Sequence, residues 1–301
     1  MPRPFRRSLK TTTSTYRQGE LTPYPDGFAT KNVETNGATI HTRVGGRGPA
    51  VVLLHGYGVT GDSWAPLATT LAATHTVIVP DLREFGRSSK PEGGYDKKTQ
   101  AGDVAGVLDA LGVARAALVT HDMGGLVGFA FAAQQRDRVT RWVALDGPLP
   151  GIGPWDRLTN NPRLWHFGFG GPDMERLVAG RERLYLDHFW NDFSADPAAF
   201  GEAMRAHYAA RYGLPSGMRA AFAQFAAFAQ DAADNRGFLA AGKLAVPVLA
   251  VGGEASSGAL VATLLRPVAD QVAGAVVPAA GHWLMEEHPA ATVTLVQHFL
   301  A

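Results

Sequence analysis

Residues 116–128 read AALVTHDMGGLVG, and their reading decides the fold. Residues 116–120 (AALVT) form a short apolar run, read as a buried strand. Residues 126–135 (LVGFAFAAQQ) are rich in small and apolar residues and read as a helix. Between them Asp122 stands at the apex of a tight turn, flanked by His121 and Met123. A strand–turn–helix of this kind lifts one side chain into a cleft and leaves the backbone N–H behind it free for an oxyanion. It calls for small residues two positions before and after the apex, here Thr120 and Gly124. The device is usually built around serine. A carboxylate at the apex favours attack on an electrophilic saturated carbon, leaving an ester that must later be hydrolysed.

Strand and helix signals alternate outward from this turn. Residues 38–44 (ATIHTRV) alternate in polarity as a half-exposed strand, and 50–54 (AVVLL) form a buried one. A helix over 64–73, capped by Asp62 or Ser63, leads to a strand over 76–79 that Pro80 stops. Val104, Val107, Leu108 and Leu111 mark a helix over 97–111, ended by Gly112. After the central turn, 141–145 is a strand ending at Asp146. This alternation predicts a mostly parallel α/β sheet with helices on both faces.

From Gly147 to about 241 no buried strand is read, only helical stretches at 174–189, 200–211 and 218–231. The sheet resumes at 246–251 (VPVLAV), continues at 275–277 and closes with a helix over 290–300. The expected organisation is an N-terminal arm (1–25), a core from 26–146 and 242–301, and an inserted all-helical cap (147–241). Open α/β sheets bind ligands at the carboxyl ends of their strands. A helical lid there would cover the apex residue and exclude water.

With 301 residues, 46% of them hydrophobic, the chain can bury one large core. A net charge of +1 gives no footprint for nucleic acid. The absence of cysteine excludes disulfides, thiolate zinc sites and a cysteine nucleophile. The ten histidines show no metal-binding spacing, so neither metal nor cofactor is expected. Arg3, Arg6, Arg7 and Lys10 are followed by no apolar stretch, and no run of 18 apolar residues occurs. A cytoplasmic protein without a membrane partner is therefore expected. The composition admits a homodimer without requiring one.

A nucleophile on this scaffold needs a base, an orienting acid and an oxyanion site. His282, in AAGHWLMEEHP after the last expected strand, is the candidate base. His75, His188, His207, His288 and His298 fall in helical or exposed contexts. The acid is Asp146 or Glu254, each following a strand at the same rim and each able to fix the histidine tautomer. Role logic favours Asp146. The turn His55-Gly56-Tyr57-Gly58 would supply the Tyr57 N–H to join that of Met123 as the oxyanion site. In the cap, Leu164-Trp165-His166-Phe167 sets one polar ring among apolar ones, making His166 a candidate proton donor. With Trp155 and Trp190 this suggests an aromatic pocket for a small apolar substrate.

Together HGYG (55–58), PDLREFGRSSKP (80–91), VTHDMGG (119–125), LDGPLPG (145–151), LWHF (164–167) and GHWLMEEHP (281–289) resemble the α/β-hydrolase superfamily. They resemble in particular its aspartate-nucleophile branch of epoxide hydrolases and dehalogenases, from about residue 28 to 301. The cap most resembles that of bacterial epoxide hydrolases with a Trp-His-Phe motif. That resemblance implies Asp146 over Glu254 as the acid, an epoxide or organohalide as substrate, and water as co-substrate. It also implies a ring-gripping tyrosine beside His166. That position maps to Phe225, with Tyr208 or Tyr212 nearby as substitutes and Trp165 as a further substrate contact. Glu84 and Thr120 stand where the family commonly carries glycine. Fluoroacetate dehalogenase-like proteins carry arginines where this chain has Met123 and Leu126, so a haloacid carboxylate would lack its clamp. Haloalkane dehalogenases often hold halide with a tryptophan after the nucleophile, where Met123 stands. Dehalogenation is thus the alternative to epoxide opening. A non-catalytic binder on the same fold is a further alternative, against which the intact Asp122, Asp146 and His282 speak.

Overall fold

The computed structural model describes residues 19–301. Eight strands form one sheet: β1 (Ala29–Thr35), β2 (Ala38–Gly46), β3 (Ala50–Leu54), β4 (Thr76–Pro80), β5 (Ala116–His121), β6 (Val139–Leu145), β7 (Val248–Gly253) and β8 (Val272–Val277). Their spatial order is β1-β2-β4-β3-β5-β6-β7-β8. The β1–β2 and β2–β4 pairs are antiparallel, and every pair from β4 to β8 is parallel. The α/β architecture expected from sequence is therefore present.

All six residues of β5 are buried, because the parallel strands are covered on both faces. Successive side chains of a strand point to opposite faces. Val52, Leu54 and Leu118 accordingly join one core cluster, and Val51, Leu53 and Val119 the other. The first cluster packs under α2 (Lys97–Ala110) and α3 (Met123–Gln134). The second packs under α1 (Ala65–Leu71) and α12 (Pro289–Leu300).

Between β6 and β7 run α4 (Trp155–Thr159), a 3₁₀ segment (Pro162–Gly168), α5 (Pro172–Val178), α6 (Glu182–Asp192), α7 (Glu202–Tyr212), α8 (Gly217–Ala226) and α9 (Phe228–Ala240), with no strand among residues 147–241. The short helices α10 (Leu260–Leu265) and α11 (Leu284–Glu287) follow β7 and β8. The helix expected over 174–189 is two, separated at Gly180 with φ +73°. The one expected over 218–231 breaks at Ala227. Strand β1 escaped the sequence reading because only Val33 of its seven residues is buried, so no alternation marks it. The expected arm (1–25) lies outside the described residues up to 18. Its remainder docks: the Tyr24 hydroxyl donates to the Gly61 carbonyl at 2.5 Å, and the Arg43 guanidinium lies over the Tyr24 ring.

The two residues that replace family glycines both have structural work. Thr120 packs against Gly128 of α3, where an added Cβ would come within 2.7 Å of its methyl. Its hydroxyl accepts from Trp142 Nε1 at 2.9 Å and donates to the Val143 carbonyl. Glu84 sits at φ +84° and is buried. It accepts from Gln224 Nε2 at 2.9 Å, tying α8 to the core, and burial pushes its carboxyl well above the usual range.

Candidate active site

The segments after β3, β5, β6, β7 and β8 open at one edge of the sheet and converge on Asp122. Its φ of 48° with ψ of −118° puts the side chain on top of the β5–α3 turn. That turn is tight: a Cβ at Gly124 would lie 2.2 Å from the Leu54 carbonyl oxygen, so only glycine lets α3 approach β3. The Tyr57 N–H donates to Asp122 Oδ2 at 2.8 Å. Met123 supplies the first residue of α3, at the positive end of that helix.

His282 Nδ1 donates to Asp146 Oδ1 at 3.0 Å, closing a histidine–carboxylate pair beside Asp122. Burial alone would raise the Asp146 carboxyl. The hydrogen bond and charge of His282, with donors from Gly253 and Ser256, outweigh it and hold Asp146 below the usual range. Burial alone would lower His282, but the bond and charge of Asp146, with the charges of Asp122 and Glu286, bring it out above an ordinary imidazole. Glu254 points elsewhere: it is exposed and accepts from the Ala279 N–H at 2.8 Å.

A cavity of about 170 Å³ sits above Asp122. Apart from tyrosine and tryptophan rings, its polar lining consists of Asp122, Asp146, His166, His282, Ser256 and Ser257. Neither arginine nor lysine lines it. Met123, Leu126, Phe189 and Phe225 make it largely apolar. His166 enters from the 3₁₀ segment, its ring 4.9 Å from Phe189 and 5.1 Å from Phe225. Burial brings its pKa down to about 4 against the opposing charge of Asp122, so the imidazole is neutral at pH 7. Its Nδ1 has no hydrogen-bond partner among the described residues.

The structure thus gathers Asp122, Asp146, His282, His166, Tyr57, Met123 and Phe225 around one cavity, and leaves three expected substrate contacts outside it. Trp165 is 41% exposed and donates its Nε1–H to His188 Nε2 at 3.1 Å. The Tyr212 hydroxyl accepts from the Gly58 N–H at 2.5 Å and so steadies the Tyr57 turn from behind. The Tyr208 ring is fully buried, and its hydroxyl has no partner among the described residues. Tyr208 and Tyr212 lie one helical turn apart on a face of α7 that packs into the core, which is why neither hydroxyl substitutes at Phe225.

Three further residues, His121, Ser256 and Ser257, stand near the pair in roles that the sequence does not show. The His121 ring lies 4.6 Å from that of His282, tilted by 42°, and its Nε2–H donates to the His282 carbonyl at 2.9 Å. Burial, then the charge of His282, lowers its pKa to about 4, which makes it a neutral prop. The hydroxyls of Ser256 and Ser257 donate to Asp146 Oδ1 at 2.9 and 3.0 Å. In the sequence these serines are marked only by their place in the turn GGEASS (252–257).

A family model described as alpha/beta hydrolase fold matches residues 49–289, and the chain belongs to that family. Within it the protein is an epoxide hydrolase-like hydrolase. It is 33% identical over 274 residues to the soluble epoxide hydrolase of Corynebacterium sp. (strain C12), covering 88% of this chain and 95% of that one. Against the fluoroacetate dehalogenase of Burkholderia sp. it is 39% identical over 126 residues, 40% of this chain and 41% of that one. Among solved structures, wild-type Cfl2 from Burkholderia cenocepacia superposes with a TM-score of 0.87 at 34% identity, covering 93% of this chain and all of that one (100%). No helix among the described residues is long and apolar enough to cross a membrane.

Proposed function

We propose that the protein opens an apolar epoxide to a vicinal diol through a covalent ester on Asp122. Residues 147–241 act as the cap that closes the cavity. The observation that carries this reading is a carboxylate held by a backbone N–H inside an aromatic cavity, with one neutral imidazole from the cap and a histidine–aspartate pair beside it.

Tyr57 holds Asp122 Oδ2, leaving Oδ1 to attack the oxirane carbon. The C–O bond breaks and its electron pair collects on the ring oxygen, to which the His166 N–H donates a hydrogen bond. That oxygen takes up one proton. Water then attacks the carbonyl carbon of the ester. His282 accepts a proton from it, Asp146 stabilises the imidazolium, and the Tyr57 and Met123 N–H groups hold the oxyanion. The alcohol leaves and the proton on His282 is released, balancing the one taken up in the first step. The sum is epoxide plus water to diol.

The apolar lining, without arginine or lysine, favours a neutral substrate, because a carboxylate buried there would lack a partner. A panel of epoxides, halocarbons and aryl esters, scored for diol, halide and phenol, tests the reading. Diol is expected from the epoxides. In His166→Phe, which keeps a ring but removes the donor, diol formation should fall by about 10²-fold or more in kcat. Halide release without diol would move the reaction to carbon–halogen bonds. Release of none, with ligand still bound, would leave a binder.

A further inference from the structure

Asp146 is more heavily bonded than an orienting acid needs to be. Its Oδ2 accepts from the Gly253 N–H at 2.9 Å and the Ser257 N–H at 3.3 Å. Its Oδ1 takes the Ser256 hydroxyl at 2.9 Å, the Ser257 hydroxyl at 3.0 Å and His282 Nδ1 at 3.0 Å. Three donors therefore share one carboxylate oxygen. The β7–α10 turn does not need the hydroxyls for its own shape. Backbone bonds close it: Ala255 N–H to the Ala280 carbonyl, and the Ser256 and Gly258 N–H groups to the Gly253 carbonyl, each at 2.9 Å. Ser256 is exposed yet turns its hydroxyl inward, and both serines line the cavity.

We propose that Ser256 and Ser257 are positioning residues that set the basicity of His282 by competing with it for Asp146 Oδ1. A carboxylate oxygen that accepts from two hydroxyls offers less negative charge to a third donor. The two hydroxyls therefore weaken the grip of Asp146 on the imidazolium and keep more of His282 in the neutral form that can accept a proton from water. This rests on the reading above only in taking His282 as the base.

The groups facing His282 are Asp146 at the end of β6, Asp122 and His121 at the end of β5, His166 from the cap, and Glu286 of α11. Glu287, also of α11, holds the flanking Gly281 and Trp283 N–H groups. Of these only Asp146 is hydrogen-bonded to a serine hydroxyl, which isolates the hydroxyls as the variable.

The test is a titration of ¹⁵N-histidine-labelled full-length protein by NMR, comparing wild type, Ser256→Ala, Ser257→Ala and the double variant, with Ser256→Thr as the conservative rescue. The His282 titration is expected to move upward by roughly half a pH unit in each single variant and about one in the double, and to return in Ser256→Thr. Curves superimposable on wild type, or moved downward, would overturn the proposal. So would lower turnover without any shift, since that is the signature of a purely structural serine. A double variant that fails to fold leaves each single variant to decide separately. Because the readout needs no substrate, failure of the epoxide reading would appear as absent diol with the NMR shift intact. If both hold, diol formation by the double variant drops more at pH 6 than at pH 9, because the base must be neutral to act.

Discussion

Asp122→Asn is expected to lower kcat for diol formation by about 10⁴-fold or more while leaving the fold in place. The amide is nearly isosteric with the carboxylate and can still accept the Tyr57 N–H through its oxygen. Asparagine also tolerates the positive φ that this position imposes, 48° here. What it loses is the charge that makes an oxygen nucleophilic toward saturated carbon. Circular dichroism and a melting curve close to wild type, beside an activity near background, is the expected pair of results. Steady turnover by the Asp122→Asn variant would remove the carboxylate from the mechanism.

His282→Gln should behave differently. The first step does not use this residue, so the ester forms, but no base then activates water. Steady-state turnover is expected to fall by about 10³–10⁴-fold. The intact protein should gain the mass of one substrate molecule. Asp146 keeps the Gly253, Ser256 and Ser257 donors in this variant, so its charge is not abandoned in the interior. His121 cannot step in despite standing 4.6 Å away. Its Nε2–H is spent on the backbone carbonyl of residue 282, and burial, the larger cause of its lowered pKa, persists in the variant. Loss of turnover with no mass gain would mean that His282 serves the first step, contrary to the assignment.

The sheet and its central turn were legible because their residues answer to one demand each. Strands β3 and β5 are covered on both faces, so β3 is apolar throughout and β5 is apolar from Ala116 to Val119. The carboxylate at residue 122 stands out because it is the one acidic residue between Ala116 of β5 and Gln134 of α3. Strand β1 was invisible for the opposite reason: an exposed edge needs no pattern. In the cap, helix periodicity was plain but the breaks at Gly180 and Ala227 were not, since neighbouring amphipathic stretches run on in phase.

The candidate site divides along the same line. Chain order and strand ends place Asp122, Asp146 and His282 near one rim, but they cannot aim a side chain. Asp146 and Glu254 both follow strands of the sheet, and only the fold turns one toward His282 and the other to solvent. Tyr208 and Tyr212 lie outside the cavity lining through the rotation of α7 about its axis, which spacing alone leaves open. The serines beside Asp146 were hidden because hydroxyls in a Gly-rich turn are ordinary residues until their acceptor is known.

The mechanism depends on a bond between an Asp122 oxygen and substrate carbon. A single turnover in oxygen-18 water, with enzyme in excess over epoxide, tests it most directly. If the ester forms, the first diol carries an ordinary oxygen taken from the carboxylate, and the heavy isotope appears in the peptide that contains Asp122. A first-turnover diol bearing oxygen-18, with that peptide unlabelled, would mean that water attacks the ring itself, and the covalent mechanism would be wrong.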